Sequence, residues 1–393
     1  MSMQRFLVIT ELFLPTKGGT AVWFDEVYRR IGDRTTHVVT AAVPDWEAHD
    51  RNHPNTVHRL NLKRNAWLRP ESLAMYIKFF FCALWLAGSR RFSAIHAGRA
   101  LPEGLVAWIV ARLTFHPIVI YAHGEELTAW GYGVKYRVMK HVLRRADVVI
   151  ANSEYTKEVL MKMGVSRSSI NMINPGVDVD RFRPGLPHSD LRAVLGIGDS
   201  SRLLISVGRL SRRKGFDSVI RVLPRLIEEG IDLHYAIIGI GEDENYLESL
   251  ARDLKIERRV HLIGPVSWED LPRWYNACGI FLMPNRDING DTEGFGMVFL
   301  EAAACGRPTI AGIAGGTGSA VLHGKTGLRV NGESMQEIQQ SISLLLRDRE
   351  LATELGTAGQ DRARAQFSWS FVAERVKMAH QRAQTNSESI GED

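Results

Sequence analysis

Short runs rich in valine and isoleucine recur along this chain, each followed by a stretch long enough for a helix, and the series starts twice. Residues 6–10, 37–42, 93–97, 118–122 and 148–152 make the first series; residues 203–207, 234–238, 260–263, 279–283 and 308–311 make the second. Runs that are apolar throughout, rather than at alternate positions, belong to strands buried on both faces. Strand followed by amphipathic helix, repeated, is the βαβ pattern of a parallel sheet. The expectation is therefore an α/β protein of two Rossmann-like doubly wound domains facing a central cleft. In open sheets of this kind, ligands bind outside the carboxyl ends of the strands.

A length of 393 residues fits two domains, and 45% hydrophobic with 24% charged residues is ordinary for soluble globular chains. The pattern breaks at Asn174-Pro-Gly-Val-Asp-Val-Asp-Arg-Phe-Arg-Pro184, where two prolines and a glycine dictate turns. A polar stretch follows. The expected division is a first domain over 1–185, a linker over 186–201 and a second domain over 202–366. Helices are expected near 216–229, 245–254, 268–278 and 297–305. Residues 367–393 are expected to give a helix to about residue 383, placed to return to the first domain, and a disordered polar tail from 385.

Cys82, Cys278 and Cys305 are widely spaced among apolar or small neighbours, with no CxxC pair, so they read as buried free thiols in a reducing compartment. The apolar run at the N-terminus is too short for a signal peptide and reads as a first strand. A net charge of +5 is compatible with phosphate ligands, anionic lipid or nucleic acid. No recognised nucleic-acid-binding module accompanies it.

The chemistry concentrates in two segments. In Glu293-Gly-Phe-Gly-Met-Val-Phe-Leu-Glu301, two carboxylates flank a glycine-bounded turn and the start of a helix near Met297. Gly294 and Gly296 permit a tight turn and close approach to a ligand. The amides opening the helix suit a diphosphate. Glu301, just over one turn into that helix, suits a vicinal diol such as a ribose, and Glu293 suits hydroxyls of a sugar. In Gly208-Arg209-Leu-Ser-Arg-Arg-Lys214-Gly215, Arg209 and Lys214 follow a strand and supply cations for the diphosphate, while Arg212 and Arg213 read as solvated. Together the segments describe a site for a sugar attached to a nucleoside diphosphate.

These segments, with Gly315-Gly316, Lys325-Thr-Gly-Leu328, Asn174-Pro-Gly-Val-Asp178, Ala151-Asn-Ser153 and Pro15-Thr-Lys-Gly-Gly19, resemble retaining glycosyltransferases of the GT-B fold, glycosyltransferase family 4. The resemblance spans roughly residues 4–380. Phe281-Leu-Met-Pro-Asn and Gly290-Asp-Thr-Glu-Gly-Phe-Gly are most similar to bacterial mannosyltransferases acting on phosphatidylinositol-type lipids. The resemblance implies that Arg209 and Lys214 bind the donor diphosphate and stabilise its departure. It further implies that Glu301 binds the ribose, that Glu293 contacts the donor sugar beside the amides of Phe295, Gly296 and Met297, and that Gly264 and Val266 border the base. Gly19 would let its loop close on the phosphates. His123, in Tyr121-Ala-His-Gly124, matches a family histidine near the donor sugar; read alone it is a structural strand-end histidine. The family commonly carries a glutamate three residues after the paired glycines, where this chain has Ser319.

Gly239-Ile-Gly241 lacks the third glycine of a dinucleotide fingerprint and reads as a strand-end turn. No metal site stands out, Asp287 and Asp291 reading as loop residues, so neither metal nor cofactor is expected beyond the nucleotide-sugar cosubstrate. Residues 51–99 carry nine Lys or Arg (51, 59, 63, 64, 69, 78, 90, 91 and 99) and one acid, Glu71, around the aromatic run Met75, Tyr76, Phe79, Phe80, Phe81, Trp85. That suits rest on an anionic bilayer, a cytoplasmic protein peripheral on the inner face of the cell membrane; it also suits a core crossover helix with a basic rim.

The expected activity is retaining transfer of a hexose, mannose from GDP-mannose or another hexose from a UDP-sugar, to a lipid-linked or saccharide acceptor in glycolipid or polysaccharide biosynthesis. Two alternatives stay open: a nucleotide-sugar epimerase on the same fold, and a non-catalytic membrane-associated binding protein.

Overall fold

The computed structural model describes residues 5–62, 73–129, 133–198 and 200–390, the last nine of them as backbone alone. The chain divides into two compact units, Met1–Pro175 with Trp369–Asp393, and Gly176–Ser368.

The first unit holds a wholly parallel seven-stranded sheet: β1 (Phe6–Ile9), β2 (His37–Ala41), β3 (Thr56–Leu60), β4 (Ala94–Ala97), β5 (Ile118–Ala122), β6 (Val148–Ala151) and β7 (Ile170–Met172). Its order is β3-β2-β1-β4-β5-β6-β7. The second unit holds a wholly parallel six-stranded sheet: β8 (Arg202–Val207), β9 (Leu233–Ile238), β10 (Val260–Gly264), β11 (Ile280–Met283), β12 (Thr309–Gly312) and β13 (Leu328–Val330), in the order β10-β9-β8-β11-β12-β13. Both sheets are doubly wound. The strand order reverses between β1 and β4 in one and between β8 and β11 in the other.

Central strands are apolar throughout because helices cover both faces; all four residues of β1 are fully buried. β3, β7 and β13, which the apolar runs did not mark, are all edge strands. Every residue of β3 and β7 is only half-buried, so nothing there demands a continuous apolar run.

Two boundaries differ from expectation. Residues 186–201 are no linker but part of the second unit, which begins at Gly176. They carry the helix Ser189–Val194, and Arg192 is buried, donating to the carbonyls of Ala277, Gly198 and Ser201. Val177 donates to Phe367 O (2.8 Å), and the Phe182 ring packs against Trp268 and Tyr275. The turn residues thus begin the second unit rather than ending the first. At the other end, the helix Trp369–Ile390 runs through the segment expected to be a disordered tail, leaving only 391–393 outside the described residues.

That last helix belongs to the first unit, packed on the helix Gly19–Ile31. A buried polar chain locks it there: the Tyr28 hydroxyl meets His96 Nδ1 (2.5 Å) and Tyr121 Oη (3.1 Å), and His96 Nε2 meets His380 Nδ1 (3.3 Å). Burial holds the pKa of both histidines below the ordinary value, so the chain is a neutral hydrogen-bond network.

The apolar run at 72–88 forms the helix Leu73–Ser89, the crossover from β3 to β4. Met75, Phe79, Ala83 and Leu86 are buried, while Leu73, Ile77, Phe81 and Trp85 are exposed at four-residue spacing. Among the described residues no helix is long and apolar enough to cross a membrane. Of the basic residues expected to rim this helix, Lys63, Arg64 and Arg69, with the acid Glu71, lie outside the described residues. Arg59 and Arg99 are not a rim: Arg59 is ion-paired to Asp50 (2.8 Å) and Arg99 to Glu103 (3.0 Å) and Glu11.

Candidate active site

In the second unit the strand order reverses between β8 and β11, so the loops leaving these strands open a crevice at their carboxyl ends. The loop after β8 runs through Arg209 to a single helical turn, Arg212–Lys214, and into the helix Phe216–Glu228. Gly215 makes this path possible. Its φ is +75°, and a Cβ there would stand 2.2 Å from Pro284 O. The loop after β11 reaches Glu293 and then the helix Met297–Ala304.

The two loops meet at Glu293. Its Oε2 accepts from Lys214 Nζ and from Arg213 NH1 (3.0 Å). Burial alone would raise this carboxyl, but Lys214 and Arg213 outweigh it and hold the pKa down at about 2. The carbonyl of Glu293 is held as well: Gly316 donates to it (2.7 Å), and Gly315, at φ +68°, approaches so closely that a Cβ would stand 2.2 Å away. Paired Gly315-Gly316 is therefore the clamp on Glu293. Gly296, at φ +90°, opens the following helix; a Cβ there would meet the Phe299 ring at 2.6 Å. The Phe295 side chain is core, beside Phe367, and Met297 is half-buried.

Glu301 is the second carboxylate, buried on the same helix. Its Oε2 accepts from the Tyr275 hydroxyl (2.7 Å). Burial raises its pKa to about 7, against the lowering effect of that bond. Glu293 and Glu301 thus sit in opposite environments, one with two cations and the other with a phenol.

Arg209 is largely exposed, its Nε 3.0 Å from Glu242. Gly264 ends β10 with φ +75°, Val266 follows half-buried, and Gly239 donates to Gly264 O (2.9 Å). A Cβ on Gly239 would stand 2.0 Å from Gly208 O, and one on Gly241 2.3 Å from Leu210 O. These glycines let a strand-end turn pack on the Arg209 loop, as the strand-end reading of that segment expects.

Arg213 departs from expectation. It is not solvated; its side chain is 15% exposed and bridges Glu293 and Asp291 (3.2 Å). A run of basic residues cannot tell which one the turn folds inward. Arg212 does face outward, paired with Asp243 (3.1 Å) and stacked on the Tyr246 ring. Tyr275 carried no signal beyond being an aromatic in a helical segment. Arg286 was also missed. It is paired to Asp217 (2.9 Å), and its amide donates to Arg213 O (2.8 Å), bracing the cationic loop. Ser319, standing at the usual glutamate position, lies in the short helix Thr317–Ala320. Arg362 anchors that turn through the carbonyls of Ser319 (2.9 Å) and Ala320 (2.8 Å).

His123 and Gly19 belong to the first unit. His123 directly follows β5, its Nε2 donating to Gly98 O (2.7 Å) and its amide to Glu126 (2.8 Å), with Trp23 edge-on. Gly19 opens the helix Gly19–Ile31, and the positive φ of that loop, +130°, falls on Gly18.

Among the described residues, one trio of possible metal ligands lies close together, Asp25, His49 and His53, in the first unit. Asn55 N–H donates to His53 Nδ1 (3.2 Å), which puts the ring proton on Nε2, facing Asp25 at 3.2 Å. His49 spans Asp25 (2.9 Å) and Asp50 (2.8 Å), and its pKa is raised by these carboxylates against the opposing pull of burial. The Phe13 ring stands edge-on to both His49 and His53. Asp287 accepts from Gly290 N (2.8 Å) in its own turn, and Asp291 pairs with Arg213.

Residues 17–181 match the model of Glycosyltransferase Family 4, and residues 188–362 that of Glycosyl transferases group 1. The chain is 29% identical over 390 residues to a GDP-mannose-dependent alpha-(1-6)-phosphatidylinositol monomannoside mannosyltransferase of Mycobacterium tuberculosis, covering 95% of this chain and 97% of that one. It is 31% identical to the GDP-mannose-dependent monoacylated alpha-(1-6)-phosphatidylinositol monomannoside mannosyltransferase of Corynebacterium glutamicum, with 95% and 97% covered. Among solved structures, Anabaena HepE with UDP and glucose aligns at TM-score 0.80 and 21% identity, over 96% of this chain and 99% of that one. Sucrose-phosphate synthase from Thermosynechococcus elongatus aligns at 0.78 and 22%, over 96% and 98%. The two parallel-sheet units are the GT-B architecture, and the chain is a glycosyltransferase belonging to family 4.

Proposed function

We propose that this glycosyltransferase moves mannose from GDP-mannose to a phosphatidylinositol-type glycolipid, with retention at the anomeric carbon and without a divalent metal. The observation that carries the reading is the Lys214–Glu293–Arg213 cluster at the β8/β11 reversal, in a chain whose full-length relatives are GDP-mannose-dependent mannosyltransferases. In this reading Lys214 and Arg209 neutralise the diphosphate as the glycosidic bond breaks. Glu293 holds hydroxyls of the mannose, Glu301 accepts from the ribose diol, and Gly264 and Val266 border the guanine. Attack comes from the face the diphosphate leaves, and the departing diphosphate takes the acceptor proton. Positioned cations do the work elsewhere asked of a metal. His123 and Gly19 carry donor-side roles by resemblance alone.

The acceptor lies in a bilayer, and the helix Leu73–Ser89 supports contact with an anionic membrane surface. Its exposed stripe of Leu73, Ile77, Phe81 and Trp85 borders an apolar groove of about 420 Å³. Leu101, Leu105 and Ile109 line the far side, and Lys135 lies at the groove. Apolar residues with basic neighbours are the composition of an interfacial helix.

The test is product analysis. GDP-mannose or UDP-glucose is incubated with phosphatidylinositol mannoside vesicles in EDTA, and the products are resolved by mass and by the one-bond carbon–proton coupling at the anomeric centre. The expected result is an α-mannosylated lipid from GDP-mannose alone. Conversion of the donor sugar without acceptor would turn the reading into an epimerase, and a strict need for added metal would remove its metal-free mechanism.

A further inference from the structure

The second unit carries a cavity at the opposite end of its sheet from the cluster around Glu293. Where Lys214 and Glu293 follow the carboxyl ends of β8 and β11, this cavity of about 300 Å³ is walled by the residues that start the strands: Arg202 and Leu203 of β8, Ile280 of β11, and Arg307 just before β12. The six residues of β8, about 20 Å at ~3.3 Å each, separate the two ends. The other wall is the start of the helix Arg349–Phe367, with Arg349 on it.

Three arginines and no carboxylate line this cavity. Among the described residues none of the three has an ion-pair partner, unlike Arg213 and Arg286 at the other end of the sheet. Arg307 is held in place by donating to Cys278 O (3.1 Å). Three guanidinium groups around one cavity with no carboxylate among its lining residues favour an anion there. The cavity is also built rather than incidental. Gly356 lets the helix press onto the strand approach, since a Cβ there would stand 2.5 Å from Gly306 O. Between the arginines lie Leu203, Ile280, Pro308 and Leu345, which offer carbon contact and no acceptors.

We propose that this cavity is a second, non-catalytic ligand site, for a small phosphate monoester with an apolar organic part. The phosphate takes the guanidinium groups, whose fork matches its oxygens, and the organic part lies on the aliphatic wall.

The test is calorimetric titration of the full chain with phenyl phosphate and with inorganic phosphate, in wild type, Arg202→Gln, Arg349→Gln and Lys214→Ala. Arg349 is exposed, so its variant folds whatever the fate of Arg202→Gln, and near-ultraviolet circular dichroism checks both. Saturable phenyl phosphate binding is expected in wild type and Lys214→Ala, weakened about tenfold by loss of either arginine. Binding lost in Lys214→Ala but kept in both arginine variants would assign the ligand to the donor site and overturn the proposal. So would the absence of saturable binding at millimolar ligand, or equal affinity for inorganic phosphate, since the aliphatic wall would then contribute nothing.

Discussion

Lys214 Nζ and Glu293 Oε2 form an ion pair although 79 positions separate them in the sequence. They are brought together by the strand order, since only at the β8/β11 reversal do the two loops diverge and leave room between them. Lys214→Ala is expected to lower kcat by about two to three orders of magnitude. Glu293 keeps Arg213, so the melting midpoint should fall by only a few degrees. Steady-state kinetics beside thermal melting checks both, and near-normal turnover would sink the role given to Lys214.

Arg213 has its own signature. Glu293 is held down at about 2, below its unfolded value, so its contribution to stability is present above about pH 4.5 and lost as pH falls through the folded value. Arg213→Leu removes one of the two cations responsible. Stability should fall most above about pH 4.5, pH 8 included, and the loss should shrink toward wild type as pH falls through the folded value, so the acid-unfolding midpoint moves to higher pH. Acid titration followed by tryptophan fluorescence reads this directly; an unmoved midpoint counts against the cluster.

Glu301 works in the opposite sense. Its folded pKa, about 7, lies above its ordinary value of 4.5, so its burial costs stability progressively between those two pH values and fully above them. The cost is on the order of 3 kcal/mol at pH 8. Glu301→Gln keeps an acceptor for Tyr275 and should recover much of it at pH 8 but not at pH 4. The ribose diol prefers the carboxylate, so GDP affinity in wild type should tighten as pH rises through 7, and the variant should lose that dependence. Chemical denaturation at the two pH values and GDP titration across pH 6 to 8 are the measurements.

Phe81 and Trp85 are each more than half exposed on the helix Leu73–Ser89. Replacing both with serine should leave the melting midpoint unchanged, because the buried face is Met75, Phe79, Ala83 and Leu86. The vesicle partition coefficient read by sedimentation with phosphatidylglycerol should fall by about three orders of magnitude, at roughly 2 kcal/mol for each aromatic removed from the interface. Unchanged sedimentation would remove the membrane role of this helix.

Much of this was legible in the sequence, for reasons that differ by element. Central strands such as β1, β5 and β8 announce themselves because burial on both faces permits nothing but apolar residues. β3, with Thr56, His58 and Arg59 on an edge, meets no such demand and left no run to find. Glu293, Lys214 and the glycines were legible because their chemistry fixes residue type and spacing. Arg213, Tyr275 and Arg286 were not, because their roles depend on which way a side chain turns from a loop or helix. The boundary at Gly176 was misplaced for a similar reason. Turn residues mark a change of direction, and only the hydrogen bond from Val177 to Phe367 shows which body they join.

The chain leaves the first unit at Pro175 and re-enters it at Trp369, with 193 residues between. During synthesis the second unit can therefore close on itself while the first is still missing a wall. Phe6, Tyr28 and His96 stay without His380 and its helix until residues 369–390 emerge. At ~5–20 residues per second the wait is about 10–40 s. A chain that stops within that interval leaves Tyr28 and His96 without the histidine that completes their buried hydrogen-bond chain, so the first unit depends on a helix made only after the whole second unit.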